Sequence, residues 1–134
     1  MTPEQERLAN FSEQLMTCLQ GRPEILFAIL YGSAAEGESF RDLDVGIFVE
    51  WAAVSATADM AYSFALADEL QQAIHYPVDV RIINDAPLGF RYNVSRGTAL
   101  VVNDPEKFYT FLERTWDEYL DFQPVAWQYL KELQ

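Results

Sequence analysis

Residues 31–45 read YGSAAEGESFRDLDV and separate two short apolar runs. The run before this segment covers residues 25–31, and the run after it covers residues 45–49. Short apolar runs bounded by Pro, Gly or polar residues are typical of buried β-strands. The segment therefore predicts a strand, a loop that begins at Gly32, and a second strand.

Three aspartates stand where a strand would hold them. Asp42 and Asp44 are two residues apart at the start of the second strand, a spacing that places both carboxylates on one face, where they repel unless a cation lies between them. Asp79 lies in an apolar run, residues 78–83, where its charge is unfavourable without a partner. Magnesium binds one or two carboxylates together with phosphate oxygens. A sheet that pairs this third strand with the first would bring the three carboxylates together, as ligands for two magnesium ions.

The loop after the first strand has the composition of a phosphate-binding turn. Gly32 lets the backbone approach a phosphate closely, and the hydroxyl of Ser33 with nearby N–H groups can bind its oxygens. Arg41 and Arg81 are candidates for charge contacts to a triphosphate. Arg81 equally suits an ion pair with a carboxylate.

The rest of the chain alternates helical and strand patterns, which predicts one α/β or α+β domain over residues 1–134, with a mixed sheet packed against helices. Thr2 and Gln5 form a capping-box pattern at the start of the first helix, which ends near Gly21. Pro124 predicts a break in the C-terminal region, before a final short helix that contains Trp127 and Leu130. The remaining predicted elements are a helix over residues 55–74, a short helix from Asp85 closed by Gly97, a strand over residues 99–102, and C-terminal helices from about residue 105.

Composition excludes several classes of protein. The chain has 134 residues, a formal net charge of -12 and a pI near 4.2, so its general field does not favour direct nucleic-acid binding. The acidic charge suits a basic protein partner, although it serves solubility equally well. Cys18 is the single cysteine, which rules out a disulfide within the chain. Without a signal-peptide pattern or an apolar run of membrane-spanning length, we expect a cytoplasmic protein with no membrane partner.

The ordered set of motifs resembles the polymerase-β-like nucleotidyltransferase superfamily. It is more closely similar to the minimal nucleotidyltransferase (MNT) antitoxins of HEPN/MNT, type VII, MntA-like toxin-antitoxin pairs. The resemblance implies the minimal polymerase-β-like fold. It also implies that Gly32 and Ser33 bind the triphosphate, that Asp42 and Asp44 hold the metals, and that Asp79 completes the triad. The motifs that carry it are residues 30–33 with Ala35 and Gly37, residues 42–45, 78–80 and 84–87, Gly97, and residues 119–122.

This resemblance also implies a function. It is magnesium-dependent transfer of AMP from ATP to a tyrosine of a HEPN RNase toxin, encoded by the adjacent gene, which neutralises the toxin. Ala34 and Glu36 stand where family members commonly carry basic residues, and Arg41 stands where they carry a small one. These departures leave open a catalytically weak or inactive fold that neutralises its toxin by direct binding. A third possibility, transfer to a small molecule such as an aminoglycoside, is disfavoured by the short chain.

Overall fold

The computed structural model describes residues 2–54 and 58–132, with the backbone alone at residues 123, 125–127, 129 and 130. The predicted start of the second helix at Ser55 lies outside the described residues. In chain order the elements are α1 (Pro3–Leu19), β1 (Ile25–Tyr31), β2 (Leu43–Val49), α2 (Asp59–Ile74), β3 (Val78–Ile82), α3 (Leu88–Ser95), β4 (Thr98–Val102) and α4 (Pro105–Glu132).

The four strands form one mixed sheet in the order β3-β2-β1-β4. β1 is antiparallel to both β2 and β4, whereas β3 is parallel to β2. The prediction of a mixed sheet packed against helices is confirmed. The predicted pairing of β3 with β1 is wrong, because β2 lies between them. A helical crossover, here α2, allows two consecutive strands to lie side by side in parallel.

The two faces of the sheet bury different sets of side chains. Leu43, Val45 and Ile47 of β2 alternate onto one face and are completely buried in the core cluster that includes α1 and α2. Phe27 faces the other side, where its ring centroid lies 5.3 Å from that of Phe111 of α4. The second face therefore packs against α4 and, through Val94, against α3.

The first helix begins as the sequence predicts. The Thr2 hydroxyl accepts a hydrogen bond from the Gln5 N–H (3.1 Å), and the Gln5 side chain accepts one from the Thr2 N–H (2.9 Å). This capping box satisfies two N–H groups that the helix leaves free. Leu15 and Leu19 then anchor the helix in the core, because both are completely buried.

The C-terminal region is one helix, so the predicted break at Pro124 is wrong. α4 runs for 28 residues with Pro124 inside it. Proline removes one backbone hydrogen bond to the carbonyl four residues earlier, and that residue, Leu120, is 61% exposed, which leaves water free to solvate the carbonyl. The side chains of Trp127 and Leu130 lie outside the described residues. Neither α4 nor any other helix within residues 2–54 and 58–132 is long and apolar enough to span a bilayer.

The second helix buries only part of its apolar stripe. Leu66, Leu70 and Ile74 are buried, whereas Met60 and Phe64 are each 66% exposed. The 16 residues of α2 span about 24 Å. The five residues of β3 span only about 17 Å. The N-terminal part of the helix therefore has less sheet to cover.

A close backbone approach at Gly97 predicts the effect of one added methyl group. A Cβ at Gly97 would lie 2.1 Å from the Leu30 carbonyl oxygen of β1, whereas a Cβ at Gly89 would meet nothing within 4 Å. We expect Gly97→Ala to destabilise the protein by about 1–3 kcal/mol, as overpacking does. Gly89→Ala, in a helix, should be neutral or stabilising by up to about 1 kcal/mol. Urea unfolding of both variants tests this, and equal stabilities would contradict it.

Candidate active site

Three strands align Tyr31, Asp44 and Asp79 in one row across the sheet. Tyr31 of β1 lies directly opposite Asp44 of β2, and Asp44 lies directly opposite Asp79 of β3. Directly opposed residues on neighbouring strands point to the same face, at the β2 end where the loop from Gly32 arrives. The sheet thus brings together two of the three predicted carboxylates, with Asp42 one residue before the start of β2.

The turn at Gly32 places the loop against this row. Its φ of +82° is a left-handed conformation that favours glycine, and a Cβ there would lie 2.5 Å from Asp44 Oδ2. The next residues form tight turns, in which the Glu36 N–H donates to the Gly32 carbonyl (3.2 Å) and the Glu38 N–H donates to the Ser33 carbonyl (3.0 Å). Gly32 therefore lies beside Asp44, and Ser33 follows it at the start of the loop; their binding of phosphate stays a prediction.

The far end of the loop is held by an aromatic cluster. Phe40 is buried, its carbonyl accepts a hydrogen bond from the Tyr76 hydroxyl (2.9 Å), and its ring stacks with the Arg7 guanidinium at 5.0 Å. The Leu43 N–H donates to the Pro77 carbonyl (3.0 Å), which fixes the start of β2 against the residue before β3. These contacts bracket the exposed Asp42, so the backbone around it is restrained while its carboxylate faces solvent.

The charges of this row act on one another. Partial burial raises the pKa of the Asp44 carboxyl, and the neighbouring charges of Asp42 and then Asp79 raise it further, whereas Arg81 opposes the rise. Burial, followed by the charge of Asp44, also raises the pKa of the Tyr31 phenol well above its ordinary value. Tyr31 therefore stays protonated, which suits a hydrogen-bond donor and excludes a phenolate.

The two candidate arginines differ. Arg81 Nε lies 3.2 Å from Asp79 Oδ2, and its guanidinium lies 5.7 Å from the centre of the Phe90 ring. The hydrogen bond and charge of Asp79 raise the pKa of Arg81. The ion pair that the sequence left open is thus formed in this structure. Arg41 is exposed beside Asp42 and makes no ion pair within residues 2–54 and 58–132.

The donor set fits a hard divalent cation. Carboxylate oxygens are the ligands that magnesium prefers, and a bound cation would offset both the burial and the neighbouring charges of Asp42 and Asp79 that raise the pKa of Asp44. In the part of the chain that the structure describes, no three His, Cys, Asp or Glu side chains already converge closely enough to enclose a metal ion. Asp42 points to solvent and Asp79 to Arg81, so both carboxylates would reorient toward Asp44 on binding.

Sequence patterns alone missed Tyr31 and Gly46 as parts of the site. Gly46 lies on the same face of β2 as Asp44, and a Cβ there would meet Val94 at 3.0 Å and the Tyr31 ring at 3.6 Å. The lack of a side chain lets the Tyr31 ring lie close over the strand. The signal was the period of two along β2, since Gly46 follows Asp44 by two residues.

The chain has the order of motifs and the fold of an enzyme family. The polymerase beta nucleotidyltransferase family matches residues 13–106, a span that holds the Gly32 turn and all three aspartates. The chain therefore belongs to the polymerase beta nucleotidyltransferase family. No curated protein sequence matches it.

Solved toxin-antitoxin structures contain chains of the same fold. A chain of a toxin-antitoxin structure with AMP-PNP is 20% identical, with a TM-score of 0.68 over 92% of this chain and 98% of that one. A chain of the complex of tri-AMPylated Shewanella oneidensis HEPN toxin with MNT antitoxin is 18% identical, with a TM-score of 0.67 over 94% and 98%. A chain of an MntA-HepT structure is also 18% identical, with a TM-score of 0.62 over 96% and 97%. At this identity, the likeness establishes a common fold.

The electrostatics of Asp44 predict a gain in stability when its charge is removed. Because the folded state raises its pKa, ionised Asp44 opposes folding at neutral pH, and this opposition disappears below the ordinary aspartate pKa. After solvent screening, we expect Asp44→Asn to stabilise by about 0.5 kcal/mol, or roughly 2 °C in Tm, at pH 7 and not at pH 3. Thermal unfolding measures this, with Asp117→Asn as an exposed control that should change Tm at neither pH.

The Gly32 contact predicts a second effect, on ligand affinity. Gly32→Ala and Gly21→Ala share a similar backbone strain of about 1–2 kcal/mol, because their φ values are +82° and +78°. Only the first places a methyl group against Asp44; the second meets nothing within 4 Å. We expect Gly32→Ala to weaken magnesium-nucleotide binding by about 10-fold to 100-fold, and Gly21→Ala to leave it unchanged. Calorimetric titration of each variant with magnesium and nucleotide measures this affinity. Equal affinities of the two variants would show that Gly32 is not part of the binding site.

Proposed function

We propose that the chain is an antitoxin that transfers AMP from ATP, with magnesium, to a tyrosine hydroxyl of a partner HEPN RNase toxin encoded by the adjacent gene. The observation that carries the proposal is the row of Asp44 and Asp79 beside the Gly32 turn, in a member of a nucleotidyltransferase family. Two chains of similar fold support ATP as the donor of AMP and a HEPN toxin as its acceptor. One comes from a structure with AMP-PNP, and the other comes from a complex with a tri-AMPylated HEPN toxin.

The residues in and around this row have separate tasks in the reaction. Gly32 and Ser33 receive the phosphate oxygens, and Asp42, Asp44 and Asp79 would hold two magnesium ions, which would neutralise charge on the triphosphate. Asp79 also accepts the proton of the attacking hydroxyl. Arg81 releases Asp79 and turns to the phosphates as a charge partner.

The bonds of the transfer balance without a further reactant. The acceptor oxygen forms a bond to the α-phosphorus of ATP, the bond from that phosphorus to the bridging oxygen breaks, and pyrophosphate leaves. The proton of the acceptor hydroxyl goes to Asp79 and then to solvent. Tyr31 contributes a neutral phenol at the edge of the site, because its raised pKa keeps it from competing as a phenolate nucleophile.

The choice of a protein acceptor agrees with the charge of the chain. A formal net charge of -12 attracts a basic surface and speeds the encounter with it. An RNase must bind a polyanion, and its active face is therefore basic. Complementary potentials orient that face toward the acidic site.

The proposal predicts the result of one labelling experiment. The purified chain is incubated with magnesium, labelled ATP and the product of the adjacent gene. Label should appear on a tyrosine of the partner, and Asp42→Ala/Asp44→Ala should reduce the rate by about 100-fold or more. Glu6→Ala/Glu13→Ala removes the same number of exposed charges from α1 and should leave the rate unchanged.

Two outcomes would contradict this prediction. Label on the partner that persists in the aspartate double variant would place the chemistry elsewhere. A stable complex that silences the partner without any label, in both forms, would replace enzymatic transfer by neutralisation through direct binding.

A further inference from the structure

β3 is an edge strand whose open side carries free backbone positions. At its two ends, the Leu43 N–H donates to the Pro77 carbonyl and the Ile83 N–H donates to the Ile47 carbonyl. Backbone groups of a strand alternate between its two sides, so the odd-numbered residues bond to β2 and the even-numbered residues point away from it. Val80 and Ile82 therefore direct their N–H and carbonyl groups away from β2, to a side that no strand within residues 2–54 and 58–132 occupies.

A cavity of about 340 Å³ lies along this open side. Met60 and Phe64 line it from the start of α2, one helical turn apart, although each is 66% exposed. Single exposed hydrophobic residues are ordinary. These two are unusual because they share one cavity with Asp79 of the site. The other lining residues are Asp59, Ser63, Val80, Arg81 and Ile82.

We infer that this edge binds the acceptor segment of the partner as an added strand beside β3, an inference that rests on the proposed function. The occupant must bring a hydroxyl to Asp79, which lines the cavity. Main-chain hydrogen bonds to Val80 and Ile82 would supply affinity that does not depend on side chains. A segment held in this way is extended, and its position along β3 is fixed in steps of two residues.

The alternation of side chains specifies the composition of the segment. Asp79 and Arg81 lie on the face of the sheet that carries the site, whereas Val80 and Ile82 face α2. An added strand follows the same alternation. A tyrosine facing Asp79 therefore has neighbours on each side that face Met60 and Phe64, and these neighbours are apolar.

Charge selects the residues two positions from the tyrosine. The one on the Pro77 side lies near Asp42 and Asp44, and its favourable charge is positive. The residue on the other side lies beside Arg81, whose positive charge Asp59 of the same cavity partly offsets. The acceptor segment thus has the pattern basic, apolar, tyrosine, apolar, with the basic residue on the Pro77 side; a peptide with a lysine at each end presents one there in either strand direction.

The edge is protected against pairing with a second copy of itself. Asp79 and Arg81 are charged, and charged side chains on an edge strand discourage association of like strands. Two copies would also bring together two acidic surfaces, each with a formal net charge of -12. A basic segment from a different protein does not meet this second obstacle.

The test is a binding experiment with a synthetic peptide. Isotope-labelled protein is titrated with the peptide Lys-Ile-Tyr-Ile-Lys and, separately, with Lys-Pro-Tyr-Pro-Lys, which has the same charge and tyrosine but lacks the flanking N–H groups. We expect the NMR amide signals of Val80 and Ile82 to shift and their hydrogen exchange to slow with the first peptide. The proline peptide should bind at least tenfold more weakly.

Variants of α2 test whether the peptide binds in this cavity or to exposed apolar side chains in general. Met60→Gln/Phe64→Gln introduces residues that are compatible with a helix and should weaken the affinity for the peptide at least fivefold. Met16→Gln, at a methionine of α1 that is 42% exposed, should leave the affinity unchanged. Equal binding of both peptides, or shifts confined to the cavity lined by Phe48 and Lys107, would overturn the inference.

The failure of this inference differs from the failure of the proposed function. In the labelling assay, Met60→Gln/Phe64→Gln should raise KM for the partner at least fivefold while KM for ATP stays constant. Transfer with an unchanged KM for the partner would overturn the inference that the partner binds beside β3 and would leave the proposed function intact. Peptide binding at Val80 and Ile82 without transfer to the partner would overturn the proposed function and leave the inference of binding beside β3 intact.

Discussion

The register of β1, β2 and β3 is the constraint on which the site depends, because it places Tyr31, Asp44 and Asp79 in one row. Like charges in such a row repel, but two partly solvated carboxylates oppose folding by only about 1 kcal/mol. A slip of one residue would turn Leu43 and Val45 out of the core. Each of these buried side chains contributes about 1.5–3 kcal/mol. Hydrophobic burial on one face of β2 therefore holds the charges together on the other.

Two further restraints complete the geometry around this row. The left-handed turn at Gly32 brings the loop against Asp44, and the burial of Phe40 between Arg7 and Tyr76 fixes where the loop ends. Neither restraint involves the carboxylates directly. The reactive groups themselves stay partly solvated, which leaves them free to reorient around a ligand while their backbone does not move.

Local patterns predicted most of the fold and the members of the site, but not their long-range arrangement. The capping box at Thr2, the first strand and the Gly32 turn depend on neighbouring residues, and all three are confirmed. The pairing of β3 with β2 depends on the crossover, which no local pattern encodes. Pro124 was misleading because a proline signals a break wherever it occurs, whereas an exposed helix tolerates the lost hydrogen bond. The roles of the site residues stay predictions.

The length of α4 has a consequence for where the sequence of the protein can change during evolution. Its 28 residues extend for about 42 Å, nearly twice the length of β1. Its residues Phe111 and Thr115 are buried, but beyond them Leu120 and Phe122 are 61% and 55% exposed. Substitutions in this outer portion leave the core and the aspartate row untouched. The outer portion of the helix can therefore change in sequence while the aspartate row is inherited unchanged.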